Sequence, residues 1–414
     1  MHLSILFAKS LRTRRRDQDL REGGEETLRW KDVIRSGERA VCVLDRRGTG
    51  GAVDFALRRV ESLAAEGRAV LHLVYHRRER RIRLTARRGG LSAEAWARGL
   101  EFLLDASCPR FEELEINELY NWSVAFPRSL FAPRNGGGRS AFIGGLLGQI
   151  VRIKHVHRAR LRFFVHDFYP LCPGPHLMNL EGRYCGLPDM TTCASCLPTR
   201  RHNRGVSLPR WRAAWQAFFD HTEQMVFFSA SSLELMRRAF FLPDERVELR
   251  PHDPLTRYQP MPETPAGAPL CVAVVGNITQ AKGARIVWEL VDLLAAERPE
   301  ARLVVIGELE GAAHRTGLPA QLTVTGPYRK EDLPSLLAAH GCTVGLMASV
   351  WPETFSFVTQ ELMQLNLPLV CFPLGAPFER IRAWERGLPA TAVSARAALD
   401  ALVELDARRA VGRS

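Results

Sequence analysis

The sequence has no run of about 18 or more apolar residues, the length at which a segment becomes a candidate to span a bilayer. Its first apolar segment, Leu3–Ala8, is short for the core of a signal peptide and runs directly into the arginines at Arg12–Arg16. No small-residue cleavage site follows it. We therefore expect a soluble, cytoplasmic protein.

Internal repeats and low-complexity blocks are also missing, which argues against a repeat protein. Apolar residues make up 46% of the chain and charged residues 25%, as in soluble globular proteins. At 414 residues, the chain is long enough for two domains of ordinary size.

Acidic residues are the scarcer charges: 45 Asp and Glu stand against 57 Lys and Arg, for a formal net charge of +12. Nucleic acid, an anionic membrane surface or a phosphate-bearing substrate could account for the excess. Alternatively, part of it reflects an arginine- and alanine-rich composition, as a GC-rich genome produces. We find no module that interleaves basic and aromatic residues for nucleic-acid binding, so we expect no nucleic-acid partner.

The most informative feature is a pair of glutamates eight residues apart, Glu353 and Glu361. They follow a short apolar strand predicted over Thr343–Met347 and flank a helix start predicted near Ser356. A helix N-terminus presents free N–H groups and a positive dipole end, which suit a phosphate. Two carboxylates beside it can accept hydrogen bonds from sugar hydroxyls. The alternative is that Glu353 caps the helix and Glu361 is a solvated helical residue.

A second segment places glycine and lysine between a buried strand and a helix. The loop contains Gly276, Lys282 and Gly283, and the helix is predicted over Arg285–Ala296. Glycine lets the backbone approach a ligand closely, and a lysine beside a helix N-terminus is a point charge for a diphosphate. The loop is neither a Walker loop nor a G-x-G-x-x-G fingerprint. On its own, it is a weak signal because such loops are common on protein surfaces.

Together, the two segments resemble the C-terminal domain of retaining glycosyltransferases of family 4, which have the GT-B fold, and in particular bacterial members that act on surface polysaccharides. The family's Glu-x7-Glu motif matches at Glu353 and Glu361. Its glycine-lysine loop matches at Gly276 and Lys282. The chain departs from the family at Asn277, where many members have an arginine that binds phosphate.

The resemblance implies an α/β chain with two Rossmann-like parallel-sheet domains that face each other across a cleft. The residue pattern agrees, because buried strands alternate with helices along the chain. We expect an N-terminal extension, an acceptor-side domain, a proline-rich linker and a nucleotide-sugar-binding domain. Their expected bounds are residues 1–38, 39–259 with a cysteine-rich insert at 170–198, 260–269 and 270–414.

In the first domain, a strand over Arg39–Asp45 leads to a glycine-rich loop and a helix over Ala52–Glu66. Gly50 and Gly51 in that loop resemble the turn that lies near the donor phosphate and the acceptor in many GT-B enzymes. The next elements are predicted as strands over Ala69–Tyr75 and Ile82–Ala86 and a helix over Ser92–Leu104.

His166 is predicted at the C-terminal end of a strand over Arg160–Val165, where ligands collect in open α/β sheets. A histidine in such a place is often only a structural residue. In the resembled family, a His-Asp pair here points into the cleft, and the histidine hydrogen-bonds the donor sugar. The resemblance implies that role for His166, with Asp167 steadying the loop or the imidazole rather than acting as a base.

Four of the nine cysteines fall within the insert, at Cys172, Cys185, Cys193 and Cys196. In a reducing compartment, such a cluster suits a structural zinc site better than disulfides. The spacing is not that of two C-x2-C knuckles, so free thiols and disulfides remain alternatives. The resembled family needs no catalytic metal, so any zinc here would be structural.

The resemblance also implies the roles of the site residues. Glu361 would bind the ribose hydroxyls, Glu353 the hydroxyls of the donor sugar, and Lys282 the departing diphosphate. Lys282, Glu353 and His166 are thus the expected catalytic residues. The donor-binding residues would be Gly50, Gly51, Gly276, Asn277, Gly283, Phe355, Ser356, Phe357 and Glu361.

The expected function is transfer of a sugar, with retention, from a nucleotide-diphosphate sugar to a glycan or lipid-linked glycan. No clear carboxylate nucleophile is visible, so the family suggests front-face attack. The alternative is a non-catalytic partner subunit that binds nucleotide sugar or glycan on the same fold.

A helix predicted over Ala141–His157 combines apolar residues with basic residues near its end. Such a helix can lie on an anionic leaflet, and Arg12–Arg16 would add to the attraction. The alternative is a core helix whose basic end complements its dipole. We expect peripheral, salt-reversible contact with the inner face of the plasma membrane.

Overall fold

The computed structural model describes residues 29–34, 40–120, 122, 138–200, 203–265 and 267–410, which form two β-sheets flanked by helices. Most of the expected extension, with Arg12–Arg16, lies outside the described residues. Short 3-10 turns are found at Glu101–Leu104, Leu197–Thr199, Asp244–Arg246, Ala312–His314 and Lys330–Asp332.

The first sheet is built from the N-terminal half of the chain. Its strands are β1 (Ala40–Arg46), β2 (Ala69–His76), β3 (Arg81–Arg88), β4 (Leu91–Ala97), β5 (Phe111–Ile116), β6 (Arg160–Phe164), β7 (Gln224–Phe227) and β8 (Val247–Leu249). Its helices are α1 (Trp30–Val33), α2 (Gly51–Ala65), α3 (Gly138–His157), α4 (Met190–Cys196), α5 (Leu208–Asp220) and α6 (Ala230–Arg237). The strand order is β4-β3-β2-β1-β5-β6-β7-β8, and β1 is an apolar run that is almost fully buried, as expected of a central parallel strand.

The predicted helix over Ser92–Leu104 is wrong. Residues 91–97 form β4, which pairs antiparallel with β3 and places Arg83 opposite Trp96. Only the last part of the predicted segment is helical, as a single 3-10 turn. The composition of this segment favours a helix, but pairing with the strand that ends just before it overrides that local preference.

Helix α3 buries its apolar flank in the core of the protein. Its apolar residues Ile143, Leu146, Leu147 and Ile150 are buried, and the helix packs against α5. The expectation that this flank lies on a membrane is therefore wrong, because these side chains already fill the core of the protein. In the described part of the chain, no helix combines the length and apolar character needed to cross a bilayer.

The second sheet is parallel throughout. Its strands are β9 (Cys271–Ile278), β10 (Arg302–Leu309), β11 (Leu322–Val324), β12 (Val344–Met347), β13 (Leu369–Cys371) and β14 (Gly387–Pro389), in the order β11-β10-β9-β12-β13-β14. Its helices are α7 (Ala284–Glu297), α8 (Leu333–Ala339), α9 (Phe357–Gln364), α10 (Gly375–Ile381) and α11 (Ala395–Ala410). The strand and helix predicted on either side of the glycine-lysine loop are β9 and α7, and the helix predicted near Ser356 is α9.

Side chains connect the two halves where the C-terminal ends of the parallel strands meet. Lys330 Nζ lies 2.5 Å from Asp54 Oδ2, and Thr354 Oγ1 donates to the carbonyl oxygen of His166 at 2.8 Å. Farther from the centre, the Glu379 carboxylate accepts from two N–H groups at the N-terminus of α6. These contacts connect the two halves of the chain on either side of a cleft.

Candidate functional site

A cavity of about 460 Å³ lies between the C-terminal ends of strands from both sheets. Most of the predicted site residues line it: Gly50, Gly51, His166, Gly276, Asn277, Lys282, Glu353, Phe355, Ser356 and Phe357. Gly283 follows Lys282 at the start of α7. A smaller cavity of about 270 Å³ lies against the linker and α11, and no predicted site residue lines it. The larger cavity is therefore the candidate site.

The N-terminus of α9 forms one wall of this cavity through Phe355, Ser356 and Phe357. Ser356 is the N-cap, and its φ of 68° is unusual for a residue other than glycine. Arg380 holds this turn, because its guanidinium donates to the carbonyl oxygens of Phe355 and Ser356 at 2.7 Å each. The result is a fixed helix N-terminus beside the cavity, which favours an anion there.

Lys282 and Glu353 form an ion pair in the cavity, with Nζ and Oε2 2.7 Å apart. Glu353 is only 5% exposed, and Ser349 donates a hydrogen bond to its other carboxylate oxygen. Burial alone raises the pKa of Glu353, but the charge of Lys282 and the hydrogen bonds outweigh burial, so the net shift of the pKa is downward. Glu353 is therefore ionised at neutral pH and holds the ammonium group of Lys282 in place.

Two glycines allow close approach around the cavity. A Cβ on Gly51 would lie 2.1 Å from the ring of Phe357, so the loop after β1 touches α9 across the cleft. A Cβ on Gly283 would lie 1.9 Å from the carbonyl oxygen of Ala348, and Gly283 also has a φ of 87°. Both positions need glycine, because any side chain would push the facing segments apart.

His166 follows β6, as predicted, and its ring belongs to an aromatic group. It stacks on Phe228 and His252, with ring centroids 4.7 and 5.4 Å away. Burial, together with the charge of Arg46, lowers the pKa of His166 to about 3, so the imidazole is neutral at physiological pH. Asp167 lies outside the cavity lining, and its carboxylate accepts a backbone N–H two residues on at 2.9 Å, which stabilises the loop.

Glu361 lies in the second turn of α9 and does not line the cavity. It is 4% exposed, so the interpretation as a solvated helical residue is wrong. Its Oε1 is buried and has no hydrogen-bond partner among the described residues. Burial raises the pKa of Glu361, and the charge of Lys330 acts in the opposite direction. A buried acceptor without a donor is costly, and it marks a position that a ligand hydroxyl would satisfy.

Sequence reasoning missed His252, which also lines the cavity. Its ring lies 3.6 Å from that of Phe228 and 4.8 Å from those of Phe355 and Phe357, measured between centroids. Burial and then the charges of neighbouring residues lower its pKa. His252 follows β8 much as His166 follows β6, but β8 has three partly exposed residues and gives only a weak strand signal.

Comparison with known proteins agrees with this architecture. Residues 262–407 match the family model described as "Glycosyl transferases group 1". No curated protein matches the sequence significantly.

Solved structures that resemble most of the chain include HepE and sucrose-phosphate synthase. HepE from Anabaena, in complex with UDP-glucose, has 15% sequence identity and a TM-score of 0.53, with 91% of this chain and 94% of HepE covered. Sucrose-phosphate synthase from Thermosynechococcus elongatus has 15% identity and a TM-score of 0.55, with 91% of each chain covered. The fold is GT-B. The fold class expected from the sequence is thereby confirmed.

In this GT-B chain, the four clustered cysteines lie between β6 and α5. All four are free thiols that are partly exposed. Burial raises the pKa of Cys172 to about 11, and the other three cysteines add to the shift, so the thiols lie near one another. Nevertheless, the described residues contain no group of three or more His, Cys, Asp or Glu side chains arranged to hold a metal ion. The zinc site therefore stays a prediction from the sequence.

Proposed function

We propose that the protein is a retaining glycosyltransferase that uses a nucleotide-diphosphate sugar as its donor. The observation that carries this proposal is the cavity between the two sheets, where a helix N-terminus and Lys282 face Glu353 and the neutral His166. The helix N-terminus and Lys282 suit a diphosphate, whereas Glu353 and His166 suit sugar hydroxyls. The family match over residues 262–407 and the UDP-glucose complex of HepE support the same class of donor.

The diphosphate would bind between Lys282 and the N–H groups at residues 355–357. Lys282 is the only lysine or arginine among the described residues that line the cavity. Asn277, which stands where many members of the resembled family have arginine, contributes no charge. Arg380 supplies a second positive charge directly behind the loop at Phe355 and Ser356. These groups would stabilise the charge that develops as the nucleoside diphosphate leaves.

The sugars of the donor would bind to the two glutamates. Glu353 would accept hydrogen bonds from the transferred sugar, and His166 lines the same cavity. Glu361 would accept from the ribose, because its buried Oε1 has no partner within the described structure. Lys330 and Asp54, which bridge the two halves next to Glu361, would then border the ribose site.

We infer front-face attack for the chemical step. Glu353 is the only carboxylate in the described cavity lining, and its charge is paired with Lys282, so no free carboxylate is placed for double displacement. The acceptor oxygen would bond to the anomeric carbon on the face from which the nucleoside diphosphate departs. The departing phosphate oxygen would take the acceptor proton. Closure of the cleft would exclude water and limit hydrolysis of the donor.

We propose that the acceptor is a glycan or lipid-linked glycan of a bacterial cell surface. The resemblance to family 4 supports this finer statement, whereas the buried flank of α3 removes one argument for membrane contact. Co-sedimentation with neutral and anionic vesicles, at low and high salt, tests the membrane part. Equal recovery from both vesicle types would leave a soluble enzyme acting on a soluble acceptor.

A thermal-shift screen with UDP-, GDP-, dTDP- and ADP-sugars tests the donor. A ligand at about 100 times its Kd should stabilise the protein by about 2.7 kcal/mol. Release of free nucleoside diphosphate from that donor then separates the two functions. Binding with release supports the enzyme, and binding without release supports the non-catalytic subunit. A protein that binds none of these donors would contradict both.

The cysteine cluster has its own test. Metal analysis of protein purified without chelator should give about one zinc per chain if the sequence-based prediction is right, and Cys193→Ser should then lose metal and stability. Metal-free protein of unchanged stability would leave the free thiols that the structure shows.

A further inference from the structure

A chain of buried polar side chains runs from the core of the first sheet to the cavity. Asp45, at the end of β1, is 1% exposed, and its Oδ1 lies 2.8 Å from Nδ2 of Asn117. Asn117 follows β5 and is 2% exposed, and its Oδ1 lies 2.7 Å from Nε2 of His166. On the inner side, Oδ2 of Asp45 lies 3.3 Å from Nε2 of His72. The pairing of β1 with β5 does not depend on these side-chain contacts, because the backbone N–H of Asn117 already donates to the carbonyl oxygen of Leu44.

The surroundings of Asn117 fix which way its amide points. One end faces Oδ1 of Asp45 and, at 3.1 Å, the carbonyl oxygen of Ala52. Both neighbours are acceptors, so that end must be the NH₂ group. The amide oxygen therefore faces His166, and an amide oxygen can only accept a hydrogen bond. The proton of this hydrogen bond must come from Nε2 of His166.

We propose that Asn117 is a positioning residue that holds His166 in the tautomer protonated at Nε2, so that Nδ1 is left to accept a hydrogen bond from a ligand in the cavity. His166 lines the cavity, and its Nδ1 makes no hydrogen bond within the described residues. The low pKa of His166 agrees with this arrangement, because a neutral ring keeps the lone pair on Nδ1.

This arrangement sets a chemical preference at that point of the cavity. A hydroxyl group can donate to Nδ1, whereas a carboxylate has no proton to donate and would face the lone pair. The site would therefore favour a donor sugar that places a hydroxyl next to Nδ1 of His166 over a uronic acid that places a carboxylate there. This preference rests on the proposed function. The same amide also binds Ala52, which follows Gly50 and Gly51 directly, so Asn117 couples the glycine loop to His166.

Nitrogen-15 NMR of histidine-labelled protein, without added nucleotide, tests the tautomer directly. The signals of His166 are identified by their loss in His166→Gln. Near neutral pH, we expect a protonated Nε2 and an unprotonated Nδ1 in the wild type, and a mixture of tautomers in Asn117→Ala. Asn203→Ala removes another buried asparagine, which does not line the cavity, and should leave His166 unchanged. A proton on Nδ1 in the wild type, or an unchanged tautomer in Asn117→Ala, would overturn the proposal.

Two further measurements keep the proposal testable. If Asn117→Ala does not fold, Asp45→Asn is the alternative variant, because it keeps Asn117 but removes the carboxylate that orients the amide. The population of His166 that is protonated at Nδ1 should then grow. An unchanged population would overturn the positioning role of Asn117. Once a donor is known, the ratio of kcat/KM for neutral and uronic-acid donors of the same nucleotide should fall at least tenfold in Asn117→Ala. A ratio that does not change would overturn the specificity role. The NMR result does not depend on catalysis, so failure of the proposed function is distinguishable from failure of this inference.

Discussion

The ion pair between Lys282 and Glu353 allows one prediction to be worked through from the structure. The change is Lys282→Ala, which removes the cation of the cavity and leaves Glu353 buried without its partner at 2.7 Å. Loss of a charged group that stabilises a leaving group costs about 2–4 kcal/mol in the transition state. At about 1.36 kcal/mol per tenfold, turnover should fall by about 30- to 1,000-fold.

The same substitution should change stability in a pH-dependent way. Removing one partner of a fully buried pair costs about 3–5 kcal/mol. The side chain of Lys282 is 40% exposed, so solvent screens the pair and we expect a loss of about 1–2 kcal/mol. Because the folded state lowers the pKa of Glu353, its contribution is present above the unfolded pKa of about 4.3 and is lost as the pH falls through the lower folded pKa. The gap between wild type and Lys282→Ala should thus be largest near neutral pH and should narrow as the pH falls below about 4.3.

Release of nucleoside diphosphate and urea denaturation at several pH values measure the two effects. Lys31→Ala, an exposed lysine on α1, is the matched control and should match the wild type in both. Wild-type turnover in Lys282→Ala would refute the role of the lysine at the leaving group. A stability gap that does not depend on pH would refute the assignment of Glu353 as its ionised partner.

Two more substitutions test other parts of the site. Glu361→Ala should abolish binding of the nucleotide sugar, measured by calorimetry, while the protein stays folded, because one oxygen of this carboxylate has no partner among the described residues. Glu289→Ala, on the exposed side of α7, is the control. Undiminished binding in Glu361→Ala would contradict the assignment of Glu361 to the ribose. Gly51→Ala should weaken donor binding and lower turnover at least tenfold, because a Cβ there would meet Phe357 at 2.1 Å and hold the cleft apart. Gly90→Ala, which meets no atom within 4 Å, should behave as the wild type, and equal activity in both variants would show that the cleft does not need this contact.

The sequence predicted the second sheet well because each of its signals is local. Buried apolar runs such as β9 and β12 are bounded by glycine or polar residues, and the helix start at Ser356 follows from a cap and the dipole. The glycine-lysine loop and Glu353 were expected in one site because both match the resembled family, and they meet there because the C-terminal ends of parallel strands lie at the same edge of a sheet.

The parts that could not be predicted depend on contacts between distant segments. Residues 91–97 became a strand because β3 pairs with them. Glu361 is buried rather than solvated, and the charges that act on it include Asp54 of the other half, which reaches Lys330 across the cleft. Asn117 has no motif of its own, and its position between Asp45 and His166 appears only when β1, β5 and β6 lie side by side.

The contacts across the cleft also bear on how substrates would enter and leave. Gly51 touches Phe357, Asp54 reaches Lys330, and Thr354 binds the carbonyl oxygen of His166, so the two halves close over the cavity from several sides. If the two halves move apart when substrates exchange, these contacts would break together. The rate of that opening would then set an upper limit on the rate of turnover, whatever the speed of the chemical step.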